Sequence, residues 1–440
     1  LDAGPSPQDA SPPPDAIAPP APNPLEDDCR ELMPRRVCFL SGDYTGAAYT
    51  MTADTTWILQ GRVAFGDDER ETQLTVQAGT TVLGEVGNGA HLLVRRASRI
   101  VAEGRPDAPI VFTSLAPAGA RARGDWGGVI LHGRAPINGC PDQSVECIAD
   151  APTSTGPYGG DLPDDDSGSL RYVRIEFAGA ATGPDTNLNG LTLNGVGRGT
   201  RIEHVHLHSS ADDGLEIYGG TVDLRHVFVS GAADDGLAWH DGWSGRAQFL
   251  VVQGYADVAD NGLEAENNAD DHDALPRSNP TLSQVTLVGS PAPSASGDAI
   301  VLRRGTAGTL YSVLVAGWDE GLSVADGATS TQINLGTLRV DSATFDPATL
   351  SSGVFVAGPA ETLFVAGSEN TTGPTTLLLP PDAQRPALAP IAGRPPAVTG
   401  VTPRDPFFTP AIFRGGVDPE SDWITAGLDA GWIALEQPAD

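Results

Sequence analysis

Lysine does not occur in this chain, and basic residues of any kind are scarce. The 26 basic side chains face 57 acidic ones, for a formal net charge of −31. Holding nucleic-acid phosphates needs a basic face, so this balance excludes nucleic acid as a partner. It suits an extracellular protein, a cation binder, or both. Long apolar runs are missing too, with no window near the roughly 18 apolar residues of a membrane-spanning helix. No amphipathic stripe at helical spacing is long enough to make a sizeable helix. No signal peptide is visible, although a first residue of Leu1 rather than Met points to processing or trimming. There is no Gly-x-Ser-x-Gly elbow to present a nucleophile. The glycine-rich stretches GEVGNG (84–89) and GVGRG (195–199) do not open a helix after a strand, so they read as turns and not phosphate cradles. Flat threonine ladders of the ice-binding kind are absent as well.

What is present is punctuation. The 53 glycines and 37 prolines are about a fifth of the 440 residues, which argues for many short strands joined by turns. The four cysteines fall into two local couples, Cys29 with Cys38 and Cys140 with Cys147. Neither has the two-residue spacing of a structural zinc site, so two small disulfide loops formed in an oxidising compartment are expected. Residues 1–26, LDAGPSPQDASPPPDAIAPPAPNPLE, offer almost nothing to bury and read as a disordered, semi-extended tether. Residues 27–54 hold the first cysteine loop and an N-terminal cap.

The fold emerges from an internal repeat. A Gly-Leu phrase recurs at Gly190, Gly214, Gly236, Gly262 and Gly321, and the first four are 24, 22 and 26 residues apart. A variant at Ala299-Ile300 stands 22 residues before Gly321. A strand such as HVHLH (204–208) or HVFVS (226–230) precedes each phrase. Repeats this short, with several strands and no helix, suit one coil of a right-handed parallel β-helix, an all-β solenoid. Aligned in register, Leu191, Leu215, Leu237, Leu263, Ile300 and Leu322 make one inward column. Leu193, Ile217, Trp239, Ala265, Leu302 and Val324 make the next. The solenoid is expected over 55–374, with insertions at 138–168 and 266–280. Residues 375–440 supply a proline-rich segment and then an aromatic C-terminal cap with Phe407, Phe408, Phe413, Trp423 and Trp432, because an open solenoid end needs cover.

Taken together, GDWGGVILHGRAPIN (124–138), LNGLTLNGVGRGT (188–200), two Ala-Asp-Asp-Gly phrases with IYGGTVD (217–223), DGWSGRAQF (241–249) and the closing pair of tryptophans carry a resemblance. Over roughly 55–435 the chain resembles a group of bacterial secreted or lipid-anchored surface proteins with a pectin-lyase-like right-handed parallel β-helix. The resemblance implies the fold and a location outside the cell or on its outer surface, but no settled activity. The leading segment is similar to the spacer that follows the lipidated cysteine of surface lipoproteins, which implies a possible lipid tether upstream of Leu1. The stretch between Trp423 and Trp432 is longer than that group's pattern.

Three chemical readings follow. Stacking places Asp212 and Asp213 over Asp234 and Asp235, next to Asp260 and Asn261. Coils stand about 4.8 Å apart. Carboxylates at that distance repel by roughly 1 kcal/mol in water and about 3–4 kcal/mol at an effective dielectric of 20, so a counter-charge is expected. Glu216, Glu264 and Glu266 flank the ladder, and the insertion NNADDHD brings Asp270 and Asp271 within reach. Many hard oxygen ligands suit calcium. The competing reading is turn chemistry, with aspartate capping a corner and glycine supplying a positive φ. A second reading makes Asp213 and Asp235, with His240, the acid and base of a polysaccharide hydrolase or lyase. The Asn-Thr-Asp, Gly-His-Gly and Arg-Ile-Lys motifs of the polygalacturonase-type pattern are absent. A third reading puts a transition metal on His204, His206 and His226, with the histidines of HVHLH sharing a strand face at period two. Together these favour an extracellular or cell-surface binding protein with a calcium-stabilised acidic edge. Its partner would be a polysaccharide or another surface component.

Overall fold

The computed structural model describes residues 24–26, 28–32, 35–140, 147–152, 155–183, 186–290, 297–355, 358–375, 377 and 400–439. The tether expected over 1–26 lies almost wholly outside the described residues, as does most of the proline-rich segment. Among them, no helix is long and apolar enough to cross a membrane.

The chain winds into a parallel β-strand solenoid of the right-handed β-helix type. It begins with an antiparallel hairpin, Cys29–Leu32 against Arg35–Tyr44, in which Cys29 faces Cys38 and the two are disulfide-bonded. The second hairpin strand pairs in parallel with Thr55–Phe65. Parallel pairing then continues coil upon coil to Thr344 opposite Thr371. A regular coil has a four-residue strand, such as Leu215–Tyr218, and an eight-residue strand, such as Asp223–Ser230, that bends at its fourth residue.

Period-two alternation explains the core. Leu191, Leu215, Leu237, Leu263 and Ile300 stand opposite one another in successive pairings. Leu193, Ile217, Trp239, Ala265, Leu302 and Val324 form the second column, and every member of both is buried. The first column extends back through Val129, Leu92 and Val63. Each fully buried leucine contributes roughly 1.5–3 kcal/mol, and only by stacking on its neighbours.

The bend within each long strand is a stack of non-glycine residues in the left-handed region: Tyr172, His204, His226, Phe249, Gln284 and Ser312, with φ from 48° to 61°. That conformation costs about 1–2 kcal/mol per L-residue. Side-chain stacking offsets it, with ring centroids 4.5 Å apart for Tyr172 on His204, 4.5 Å for His204 on His226 and 4.7 Å for His226 on Phe249. The bend also corrects the expectation that HVHLH is one straight face. His204 sits at the corner, while His206 and His208 lie beyond it.

The aromatic residues near the C-terminus cluster along a flank of the solenoid. Val417, Ile424, Trp432 and Ile433 pack on Phe228, Val251 and Val288, and Trp423 and Trp432 set their edges against His226 and His204. Their cover is lateral. At the far end of the coils, helix Pro359–Ala366 supplies Ala360, Leu363 and Phe364 to the main core.

Candidate functional site

The two Ala-Asp-Asp-Gly phrases fall in the turn that leads into the four-residue strand of each coil. Their two aspartates have different tasks. The second one is buried and carries a ladder of side chain to backbone bonds. Asp213 N–H donates to Asn189 Oδ1 (3.2 Å), Asp235 N–H to Asp213 Oδ1 (2.9 Å), Asn261 N–H to Asp235 Oδ1 (2.9 Å) and Asp298 N–H to Asn261 Oδ1 (3.0 Å). Each side chain thus satisfies the backbone donor one coil further on. The following glycine is needed for space and not for a positive φ. A Cβ on Gly214 would lie 2.2 Å from Val229 Cγ1, and one on Gly236 2.2 Å from Val252 Cγ1.

The first aspartate faces outward. Asp212, Asp213 and Asp234 place carboxylate oxygens within 4.8 Å of one another, and Asp234, Asp235 and Asp260 do the same. The two groups share Asp234, so five carboxylates from three coils form one edge. No ion pair among the described residues reaches any of them, since the nearby arginine and histidine cations are held by glutamates. Burial, then repulsion from Asp234, raises Asp212 to about 7. Burial, then Glu264 and Asp234, raises Asp235 to about 8. Asp213 and Asp234 are shifted the same way, each first by burial.

The flanking acids form a separate patch with its own cations. His240 sits between Glu216 Oε1 (3.4 Å from Nε2) and Glu266 Oε2 (3.2 Å from Nδ1). Burial opposes its charge, but hydrogen bonds to both glutamates lift it to about 10. Glu266 also accepts from Arg303 Nε (2.5 Å) and Arg304 Nη1 (2.6 Å), and Glu264 accepts from Arg303 Nη2 (2.5 Å). Burial would raise Glu266, yet His240 and Arg303 together hold it down at about 2. Two insertions cover this patch. Beside the Cys140–Cys147 disulfide, Ile137, Cys147, Ala151 and Tyr158 form a small core against which Tyr218 packs, and Tyr158 Oη donates to Asp241 Oδ2 (2.8 Å). Asn138 then bonds Asn267 Oδ1 (2.9 Å), tying the first insertion to the second. Asp270 and Asp271 are exposed on that second loop, and their N–H groups donate to Asn268 Oδ1. They take no part in either carboxylate group.

The histidines divide as well. Glu203, His204 and His226 offer ligand atoms within 4.8 Å of one another, whereas His206 is outside this group. His206 is buried, stacks on Phe228 at 4.8 Å and is hydrogen-bonded through Nε2 to Ser230 Oγ (2.9 Å). Burial drives His204 to about 4 and His226 to about 3, and Arg225 disfavours charge on both.

Sequence reasoning therefore reached the five clustered aspartates and the stacked His204–His226 pair. It missed Asn189, Arg304 and Tyr158. A signal existed for Asn189, which precedes a Gly-Leu phrase 24 residues before Asp213, the same place in its repeat.

Residues 42–375 match a family model described as a pectate-lyase like beta helix domain. No curated protein and no solved structure matches the chain.

Proposed function

Because this chain belongs to the pectate-lyase-like β-helix family, we propose that it is a binding protein of the cell exterior, whose acidic edge takes calcium and whose partner is a polysaccharide or another surface component. The carrying observation is the edge itself: five carboxylates on three coils, with Asp212, Asp213, Asp234 and Asp235 pushed toward neutrality first by burial, and with no ion-pair partner among the described residues. A divalent cation removes that repulsion, and aspartate oxygens are the ligands calcium favours. The net charge of −31 draws cations to the surface in general, and the two disulfides fit an oxidising exterior. A lipid tether ahead of Leu1 belongs to the same reading.

The binding reading is preferred over hydrolysis or lysis for a specific reason. Asp213 and Asp235 are buried rungs of the backbone ladder, each Oδ1 accepting an N–H from the next coil, which gives both a structural task and leaves only Oδ2 of each for proton transfer. Thermal melting at pH 8 with calcium and with EDTA tests the edge. Calcium should raise the midpoint by a few degrees, and Asp234→Asn should abolish most of that rise. An EDTA-insensitive midpoint refutes it. New reducing ends or an unsaturated product from a polysaccharide, lost in Asp235→Asn, would replace binding with catalysis.

A further inference from the structure

The bend in the long strands brings Glu203, His204 and His226 together from two neighbouring coils. His204 and His226 hold the same left-handed position in paired strands, with φ of 55° and 52°. Their rings stack at 4.5 Å and so leave the corner on one side. Trp432 and Trp423 close over them edge-on, with ring centroids 5.6 Å from His204 and 5.4 Å from His226.

Hydrogen bonding leaves this corner incomplete. Nδ1 of His204 and Nδ1 of His226 are buried, and neither has a hydrogen-bond partner among the described residues. His208, further along the same strand, has both ring nitrogens bonded. A buried nitrogen without a partner costs free energy, so two of them side by side call for a common ligand. The neighbouring carboxylate is already oriented. Arg201 Nε donates to Glu203 Oε2 (2.8 Å) and Arg171 Nε stands 3.6 Å from the same oxygen, which leaves Oε1 turned to His204 Nδ1 at 3.6 Å. Each of the three residues thus offers one ligand atom, and these atoms lie within 4.8 Å of one another. Arg225 directs its guanidinium elsewhere, to Thr409 Oγ1 (2.8 Å) and the Phe407 carbonyl.

We propose that Glu203, His204 and His226 form a transition-metal site, separate from the acidic edge, with zinc as the fitting ion. Two imidazoles and one carboxylate are a donor set for zinc, whereas calcium takes oxygen ligands throughout. Zinc bonds to such atoms measure about 2.0–2.2 Å, so the donors must close by roughly 1 Å, which the broad χ2 range of histidine allows. Glu203 also lines a surface groove, which gives the ion a way in and a water the fourth position. Arg201 and Arg171, holding Oε2, are outer-shell partners that orient the carboxylate. The bound ion ties two coils together directly beneath Trp423 and Trp432.

Calorimetric titration of the full chain with zinc chloride in excess calcium reads this corner. One zinc per chain is expected, with a Kd of about 1 µM or tighter. Glu203→Gln, His204→Asn and His226→Asn should each weaken binding by about tenfold or more, and Asp234→Asn should leave it unchanged. Asparagine tolerates the left-handed backbone of the corner, and Glu203→Gln leaves the corner itself untouched. Cobalt in place of zinc gives a readout that needs no variant: the visible absorption of a tetrahedral ion, with quenching of Trp423 and Trp432 fluorescence. No saturable zinc binding below about 100 µM overturns the proposal, as does an affinity indifferent to Glu203→Gln and both histidine variants. Zinc binding lost in Asp234→Asn puts the metal on the acidic edge and refutes the corner. Zinc held by the corner in a protein whose melting ignores calcium refutes the edge reading alone.

Discussion

Calcium binding at the acidic edge should compete with protons, so raising the pH from 6 to 8 should tighten it sharply. Asp212 sits at about 7 and Asp235 at about 8, each raised first by burial. At pH 6 the protonated forms therefore exceed the ionised ones by about tenfold and about a hundredfold. At pH 8 those ratios fall to about 0.1 and about 1. Freeing both carboxylates then costs a factor of roughly 1,000 at pH 6 against about 2 at pH 8, a change near 500-fold or roughly 4 kcal/mol. Asp212 is only half-buried, and solvent screening there brings the expected change nearer to a hundredfold. For folding of the cation-free protein the trend with pH is opposite. Carboxylates raised above their unfolded value of 3.8 give stability that is present below that pH and lost as pH rises through about 7 and 8. The cation-free protein should thus melt at a lower temperature at pH 9 than at pH 6, and calcium should restore the difference. Calorimetry in two buffers of different ionisation enthalpy measures the protons released per calcium bound. An affinity equal at pH 6 and pH 8 with no proton release would refute this account.

The buried ladder separates two substitutions at one position: Asp213→Ala leaves the Asp235 N–H without its acceptor and should cost about 1–3 kcal/mol in denaturant unfolding. Asp213→Asn keeps an oxygen there, as Asn261 already does two coils on, and should be neutral or stabilising by the same measurement. His208, buried and bonded to Ser230 Oγ and the Glu436 carbonyl, is lowered to about 4 by burial. It stabilises the docked C-terminal segment above pH 6.5, and roughly 3 kcal/mol of that is lost as pH falls to 4, with Arg123 and Arg174 adding to the effect of burial and Glu436 opposing it. Fluorescence of Trp423 and Trp432 should report the release at acid pH before the main unfolding transition, and simultaneous transitions would count against it. Leu237→Ala opens a cavity between stacked leucines and should cost about 2–5 kcal/mol in chemical unfolding.

How far the sequence could be read follows from the distance over which each residue acts. Leu215 and Leu237 are legible because their partners are copies of themselves one repeat away, so a spacing of 22 residues exposes both the fold and the inward columns. Asp213 is half legible: its place in the repeat is plain, but its bond partner is a backbone N–H, which has no letter in the sequence. That is why a structural ladder and an outward acidic edge, interleaved as adjacent aspartates, read as one feature. Gly214 misled for the same reason, since its constraint is the Val229 methyl 2.2 Å from where a Cβ would sit, set by the stacking of coils and not by the turn's own dihedrals. His204 hid in a strand-like string because its corner is a matter of φ. Yet Tyr172, His204, His226, Phe249, Gln284 and Ser312 each stand directly before Val or Leu, and they are the stacked left-handed residues of six successive coils. The C-terminal aromatics carried the weakest signal. Trp432 meets His204 across more than 200 residues of chain, and no repeat predicts which flank of a solenoid a non-repeating segment will cover. In a solenoid, residues that act on their own copies are legible from one repeat. The acidic edge is legible to that extent, while Phe407, whose ring lies under Arg225 and Arg246, comes from outside the repeat.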